Sequence, residues 1–171
     1  CSQSRGLGDV YKRQGLIDAF NNYHMGVTAE NISRKFDISR AEQDQYAFNS
    51  QKKTELAIIN NKFEDEIIKI NHENGMLNKD EHPRIGLKIS DLEKLTTVFK
   101  DNGTVTPGNS SGINDGAAAL FLTSKEEAEK KSIEPLAKIV SWASVGVDPS
   151  LMGLGPIEAV REATKKANWN L

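Results

Sequence analysis

Cysteine is almost absent from this chain: Cys1 is the single copy in 171 residues. No internal disulfide can form, so nothing in the fold is expected to depend on an oxidising compartment. Long apolar runs are missing as well. No stretch reaches the about 18 consecutive apolar residues that a membrane-spanning helix needs, and the start shows no apolar stretch of a secretory leader. Nor is charge of one sign in surplus, since 22 Lys and Arg stand against 24 Asp and Glu. A general nucleic-acid binder needs a basic excess to neutralise phosphates, so neither nucleic acid nor a membrane is expected as a partner. With 37% hydrophobic and 27% charged residues and no internal repeat, the composition excludes collagen, a coiled coil and a disordered polyampholyte. What is left is the expectation of a soluble, cytoplasmic chain with room for one ordinary domain, or one large domain with an appendage.

The two ends read differently from the middle. Residues 1–14, CSQSRGLGDVYKRQ, have no initiator Met and no sustained apolar period, and they read as an adapter-like, non-native segment. Cys1 lies inside it and has no nucleophile motif around it. At the far end, Asn168-Trp169-Asn170-Leu171 closes a helical pattern with no strand after it. The expectation is an internal piece of a longer chain.

Between the ends, helix and strand signals alternate, which points to an α/β class. Thr28 to Phe36 predicts a short helix with Thr28 as its N-cap. Ser39-Arg40-Ala41-Glu42 is a capping box and opens a longer helix running to about Asn60, with Ala47, Ser50, Thr54, Ala57 and Ile58 on one mildly apolar face. Glu66 to Ile70 predicts a strand, residues 71–88 a long surface loop, and Ser90 to Leu95 a helical turn. Thr104 to Thr106 is β-prone and runs into a turn of small residues, Gly108 to Gly112. The apolar run Ala117 to Leu122 suits a fully buried strand. Ser124 and Glu127 form a second capping box, Leu136 to Val147 is β-prone, and Pro156 sits at the first position of an amphipathic helix carrying Ile157, Val160, Ala163 and Ala167.

Local chemistry is sparse. The turn from Gly108 to Gly112 could admit a ligand close to the backbone, yet it matches neither a Walker A nor a dinucleotide fingerprint. His72-Glu73 and Glu81-His82 lack the helical spacing of a metal motif, so no metal is expected. Asn102-Gly103-Thr104 and Asn109-Ser110-Ser111 are glycosylation sequons that a cytoplasmic chain would not use. No Ser-His-Asp or Cys-His set can be assembled.

Longer segments carry more. The run Leu16 to Asn31 (LIDAFNNYHMGVTAEN), Ser39 to Asp44 (SRAEQD), Lys79 to Arg84 (KDEHPR), Gly103 to Ala119 (GTVTPGNSSGINDGAAA), Val145 to Pro149 (VGVDP) and Met152 to Pro156 (MGLGP) together resemble thiolases of the acetyl-CoA acetyltransferase branch. The resemblance covers residues 15–171 in order. It implies a five-layer α/β/α/β/α fold that is incomplete here. Residues 15–131 would belong to the N-terminal domain, including a loop domain at 15–90, and residues 132–171 would begin the C-terminal domain.

The resemblance also implies a site. Coenzyme A thioesters would be the substrates, with no permanently bound cofactor. Leu16, His24 and Met25 would line the pantetheine tunnel, Arg84 would lie against the adenine or its phosphates, and Asp91 would stand near the nucleotide. Phe99 would pack near the ligand, Pro107 and Ser111 would contact the pantetheine, and Met152 would border the acyl pocket. The family's chemistry uses a cysteine in Cys-x-Ser-Gly, a Gly-His-Pro histidine, an Asn-Glu-Ala-Phe asparagine and a second cysteine in a glycine-rich loop. None of these motifs occurs in this chain, so no catalytic residue is expected within it. The implied activity of the full enzyme is the reversible condensation of two acetyl-CoA, with a dimer or tetramer as the assembly. A longer-chain 3-ketoacyl-CoA thiolase and a non-catalytic CoA-binding module are the alternatives.

Overall fold

The computed structural model describes residues 15–73, 75–114 and 116–171. The adapter-like reading of residues 1–14, and Cys1 with it, lies outside the described residues. The chain divides into two compact units, which part between Gly112 and Ile113.

The first unit is built on two helices. Helix α1, Met25–Lys35, is preceded by a tight turn in which the buried Asp18 carboxylate accepts the Phe20 N–H at 3.0 Å and the Asn21 N–H at 3.3 Å. These donors, the Phe20 N–H first and then the Asn21 side-chain amide, hold the Asp18 carboxyl below its ordinary range. The turn lets Ile17 bridge His24, and His24 rather than Thr28 becomes the N-cap. Its Nδ1 accepts the Gly26 N–H at 3.0 Å. An imidazole nitrogen can accept such an N–H, a possibility that the preference for hydroxyl and carboxylate caps hides in sequence. Thr28 is instead one turn inside the helix and gives its hydroxyl to the Met25 carbonyl at 2.6 Å.

Helix α2, Arg40–Ile59, starts where its capping box predicts. Ser39 Oγ accepts the Glu42 N–H at 3.2 Å and the Ser39 N–H donates to Glu42 Oε2 at 2.8 Å. The Ser39 hydroxyl and N–H together lower the Glu42 carboxyl from its ordinary value. The face that α2 turns inward is more polar than expected. Only Asp44 is fully buried on it, while Ser50 and Ile58 are exposed. Gln51 and Glu55 reach across to the chain at Arg84 and Gly86, whose N–H groups donate to them at 3.0 and 2.9 Å.

The predicted strand and loop between residues 66 and 88 need correcting. Strand β1, Ile70–His72, pairs antiparallel with β2, Gly75–Leu77, in the register Ile70↔Leu77. The isoleucines start the first strand four residues too early, because a strand forms where it finds a partner, and β2, which opens on Gly75 at φ 121, faces only Ile70–His72. Helix α3, Ile89–Glu93, follows and buries Leu92.

In the second unit, α4, Lys125–Lys130, is capped by Ser124, which accepts the Glu127 N–H at 3.2 Å. The 3₁₀ turn Pro149–Leu154 leads into α5, Gly155–Lys166, with proline at its start as predicted. The β-prone runs depart from expectation. Ala117–Leu122 and Leu136–Val147 form no strand, and Leu120, Phe121, Leu136 and Trp142 are 88%, 80%, 106% and 74% exposed. A strand satisfies its backbone through neighbours, and the described residues offer these runs none.

Among the described residues the fully buried hydrophobic side chains are Leu92, Val105 and Ala128. Expressed as these 171 residues, the chain should therefore bind a hydrophobic dye and unfold over a broad range on heating. A sharp melt without dye binding would contradict this description. The lowered Glu42 carboxyl makes a second prediction for α2. Its contribution is complete above the ordinary value of 4.5 and is lost as the pH falls through the lowered one. In a peptide spanning residues 37–62, Glu42→Gln should reduce helicity by circular dichroism at pH 7 and make no difference near pH 2.

Candidate functional site

The first unit brings several of the expected site residues onto the N-terminal end of α1. His24, its N-cap, stacks on Phe99 with ring centroids 4.5 Å apart and planes inclined by 23°. Both rings are half-buried, as are Leu16 and Met25. Gly26 lies directly under Phe99, and a Cβ there would collide with the ring. The missing side chain is what lets the phenyl group reach the imidazole. Offset aromatic pairs of this kind contribute about 0.5–1.5 kcal/mol beyond the area they bury.

The second feature is the turn Gly103–Asn109, held from both sides by buried carboxylates. Glu30 on α1 is 6% exposed and accepts the Thr104 N–H at 2.8 Å, the Val105 N–H at 2.8 Å and the Thr104 hydroxyl at 3.0 Å. Asp44 on α2 is 1% exposed and accepts the Asn109 side-chain amide at 3.0 Å. Its other oxygen pairs with Arg40 Nε at 2.6 Å, and the same guanidinium donates to the Leu92 and Leu95 carbonyls at 2.7 and 3.0 Å. Asn109 closes the turn on itself, donating to the Thr104 carbonyl at 2.9 Å and accepting the Thr106 N–H at 2.8 Å. Thr106 is completely buried. Gly108 passes so close to α3 that a Cβ would lie 2.5 Å from Leu95 and 2.6 Å from Leu92.

The turn emerges at Pro107 and Ser111, both exposed. Arg84 is exposed on the segment tied to α2, and Asp91 is exposed in the first turn of α3, where its carboxylate accepts the Lys88 N–H at 3.1 Å. Met152 is exposed in the second unit. A cavity of about 530 Å³ also opens beside the end of α2, lined by Ile58, Phe63, Lys69, Lys79, Pro83 and Ile85 among others. It contains none of the expected site residues. Among the described residues no three His, Cys, Asp or Glu side chains gather as a metal centre would need.

Sequence reasoning did not single out Glu30 or Asp44, and it met Asn109 only as a sequon and as part of the small-residue turn. One signal was available. Asp44 lies four positions after Arg40, the helical spacing of an ion pair, whereas nothing local marks Glu30.

Comparison with known proteins bears on all of this. The thiolase N-terminal domain family matches residues 3–126. An acetyl-CoA acetyltransferase of Rhizobium meliloti (strain 1021) is 47% identical over 184 residues, covering 100% of this chain and 47% of that protein. The cytosolic acetyl-CoA acetyltransferase of Mus musculus is 46% identical over 96% of this chain and 43% of its own length. Among solved structures, human mitochondrial 3-ketoacyl-CoA thiolase in complex with CoA superposes with a TM-score of 0.83 at 41% identity, covering 91% of this chain and 39% of that one. The chain thus spans less than half the length of the relatives it matches, and it takes up part of their fold.

The packing of Phe99 over Gly26 can be tested in the complete protein. Gly26→Ala should destabilise it by about 1–3 kcal/mol in urea unfolding, the usual range for overpacking, even though alanine favours helix. Unchanged or increased stability would mean that the ring is free to swing aside.

Proposed function

Given that the chain belongs to the thiolase family, we propose that the complete protein is an acetyl-CoA C-acetyltransferase. It condenses two acetyl-CoA to acetoacetyl-CoA and CoA, reversibly, in fatty-acid metabolism in the cytoplasm. The observation that carries this reading is the likeness to acetyl-CoA acetyltransferases along the whole chain, at 47% identity. It favours the short-chain activity over a longer-chain 3-ketoacyl-CoA thiolase. No described helix is long and apolar enough to cross a membrane. The assembly we infer is a dimer or tetramer of like chains.

In this reading residues 15–131 complete the N-terminal domain and residues 132–171 open the C-terminal one. The segment binds and shapes, while the reacting groups come from elsewhere in the protein. A cysteine thiolate, its proton taken by the histidine, attacks the acetyl thioester and releases CoA as the thiol. A second cysteine removes a proton from the methyl group of the next acetyl-CoA, whose carbanion displaces the enzyme thiolate from the acetyl carbon. Donors around the thioester oxygens stabilise the charge that develops there.

The contribution of this chain is to hold the rest of the substrate. The stacked His24 and Phe99 rings, with Met25 next to His24 in sequence and Leu16 next to the bridged Ile17, suit the pantetheine arm. Pro107 and Ser111 present a small-residue edge that leaves room for its amides. Arg84 offers a planar cation to the adenine or its phosphates, with Asp91 nearby in sequence, and Met152 borders the acyl group.

Contacts to the nucleotide act equally in the ground and transition states. In the complete protein Arg84→Ala should therefore raise KM for acetyl-CoA while leaving kcat little changed, as initial rates would show. A large fall in kcat alone would move Arg84 out of this role. Absence of any thiolysis of acetoacetyl-CoA by the complete protein, with CoA binding retained, would leave a non-catalytic CoA-binding module instead.

A further inference from the structure

The best-anchored groups around the expected ligand are two that have no assigned contact with it. Glu30 and Asp44 sit on different helices, both almost wholly buried, and both direct hydrogen-bonding oxygen atoms at one turn. Glu30 holds its entry through Thr104 and Val105. Asp44 holds its exit through Asn109, which in turn ties Thr106 to Thr104. Apolar packing alone would leave that turn free to slide, because burial has no direction, whereas hydrogen bonds fix orientation. The close approach of Gly108 to Leu92 and Leu95 fixes the turn from below.

We propose that Glu30 and Asp44 are positioning residues that set the height of the Gly103–Asn109 turn, and through it the edge at Pro107 and Ser111, for the pantetheine arm of a CoA thioester. The inference rests on the proposed reading of that edge as a CoA contact. Glutamine in place of Glu30 keeps the shape but removes the charge and one acceptor oxygen, leaving the Thr104 and Val105 N–H groups and the Thr104 hydroxyl a single, neutral acceptor. The turn then shifts, and substrate binding weakens.

The test uses acetoacetyl-CoA thiolysis by the complete protein, with Glu30→Gln, Ser111→Ala and the double variant, and with Glu42→Gln at the exposed α2 cap as a control for stability alone. Glu30→Gln should raise KM for CoA about tenfold with kcat nearly unchanged, the size expected for losing a hydrogen bond to a charged group. Ser111→Ala should raise KM too, and the double variant should be no worse than the poorer single one, because both act through one contact. Glu42→Gln should lower the melting temperature and leave KM alone. If Ser111→Ala raises KM while Glu30→Gln changes only the melting temperature, or if the two effects multiply, the inference is overturned and the reading of the edge stands. If Ser111→Ala leaves KM unchanged, the reading of the edge falls and takes the inference with it. Should Glu30→Gln not fold, Thr104→Val removes one hydroxyl contact to Glu30. A KM increase would then support the inference, and an unchanged KM would overturn it.

Discussion

The interaction on which the first unit depends is the grip of buried carboxylates on backbone N–H groups and amides. A carboxylate taken out of water without partners is strongly unfavourable, so each buried acid here dictates what must lie opposite it. Glu30 requires donors, and the chain at Thr104 and Val105 turns its N–H groups towards it. Asp44 requires a cation and finds Arg40 one turn back on its own helix, while its second oxygen takes Asn109. Because Arg40 also holds the carbonyls that end α3, one ion pair connects α2, α3 and the turn. Among the described residues of this unit the buried apolar side chains are Leu92 and Val105, so directional polar contacts decide how the pieces are arranged.

The second unit illustrates the opposite condition. Its helices form because their signals are local: a serine cap, a proline in the first turn, charge placed to suit the helix ends. Lys166 reaches back to the Trp142 carbonyl at 3.1 Å and Ser141 donates to Ala163 at 2.6 Å, so the chain before α5 lies along that helix. What remains open is the apolar surface of the segments around Leu120 and Leu136. Strands have no internal hydrogen bonds, and the described residues provide no partner for them.

The local structure around the candidate site was legible in part, and unevenly. The small residues from Gly108 to Gly112 announced a turn with close approaches, and the structure shows what one of them is for, with Gly108 against Leu92 and Leu95. His24 was legible as a notable residue but not as a helix cap, because a histidine cap depends on the turn that Asp18 folds in front of it. The partnership of His24 with Phe99 joins residues 75 positions apart and needs the absent side chain of Gly26. No local pattern reports such a pair. Glu30 is similar, since its donors lie 74 and 75 residues further along the chain.

By itself, then, the sequence determined the elements whose energies are settled within a few residues: the capping box at Ser39 and Glu42, the span of α2, the cap at Ser124 and the proline start of α5. It also determined the family, because ordered motifs along the whole chain survive without reference to geometry. Tertiary structure decided whether β-prone runs became strands, which face of α2 turned inward, and which acids met which donors. Those outcomes depend on groups brought together from distant parts of the chain, where desolvation makes a missing partner costly and a well-placed one decisive.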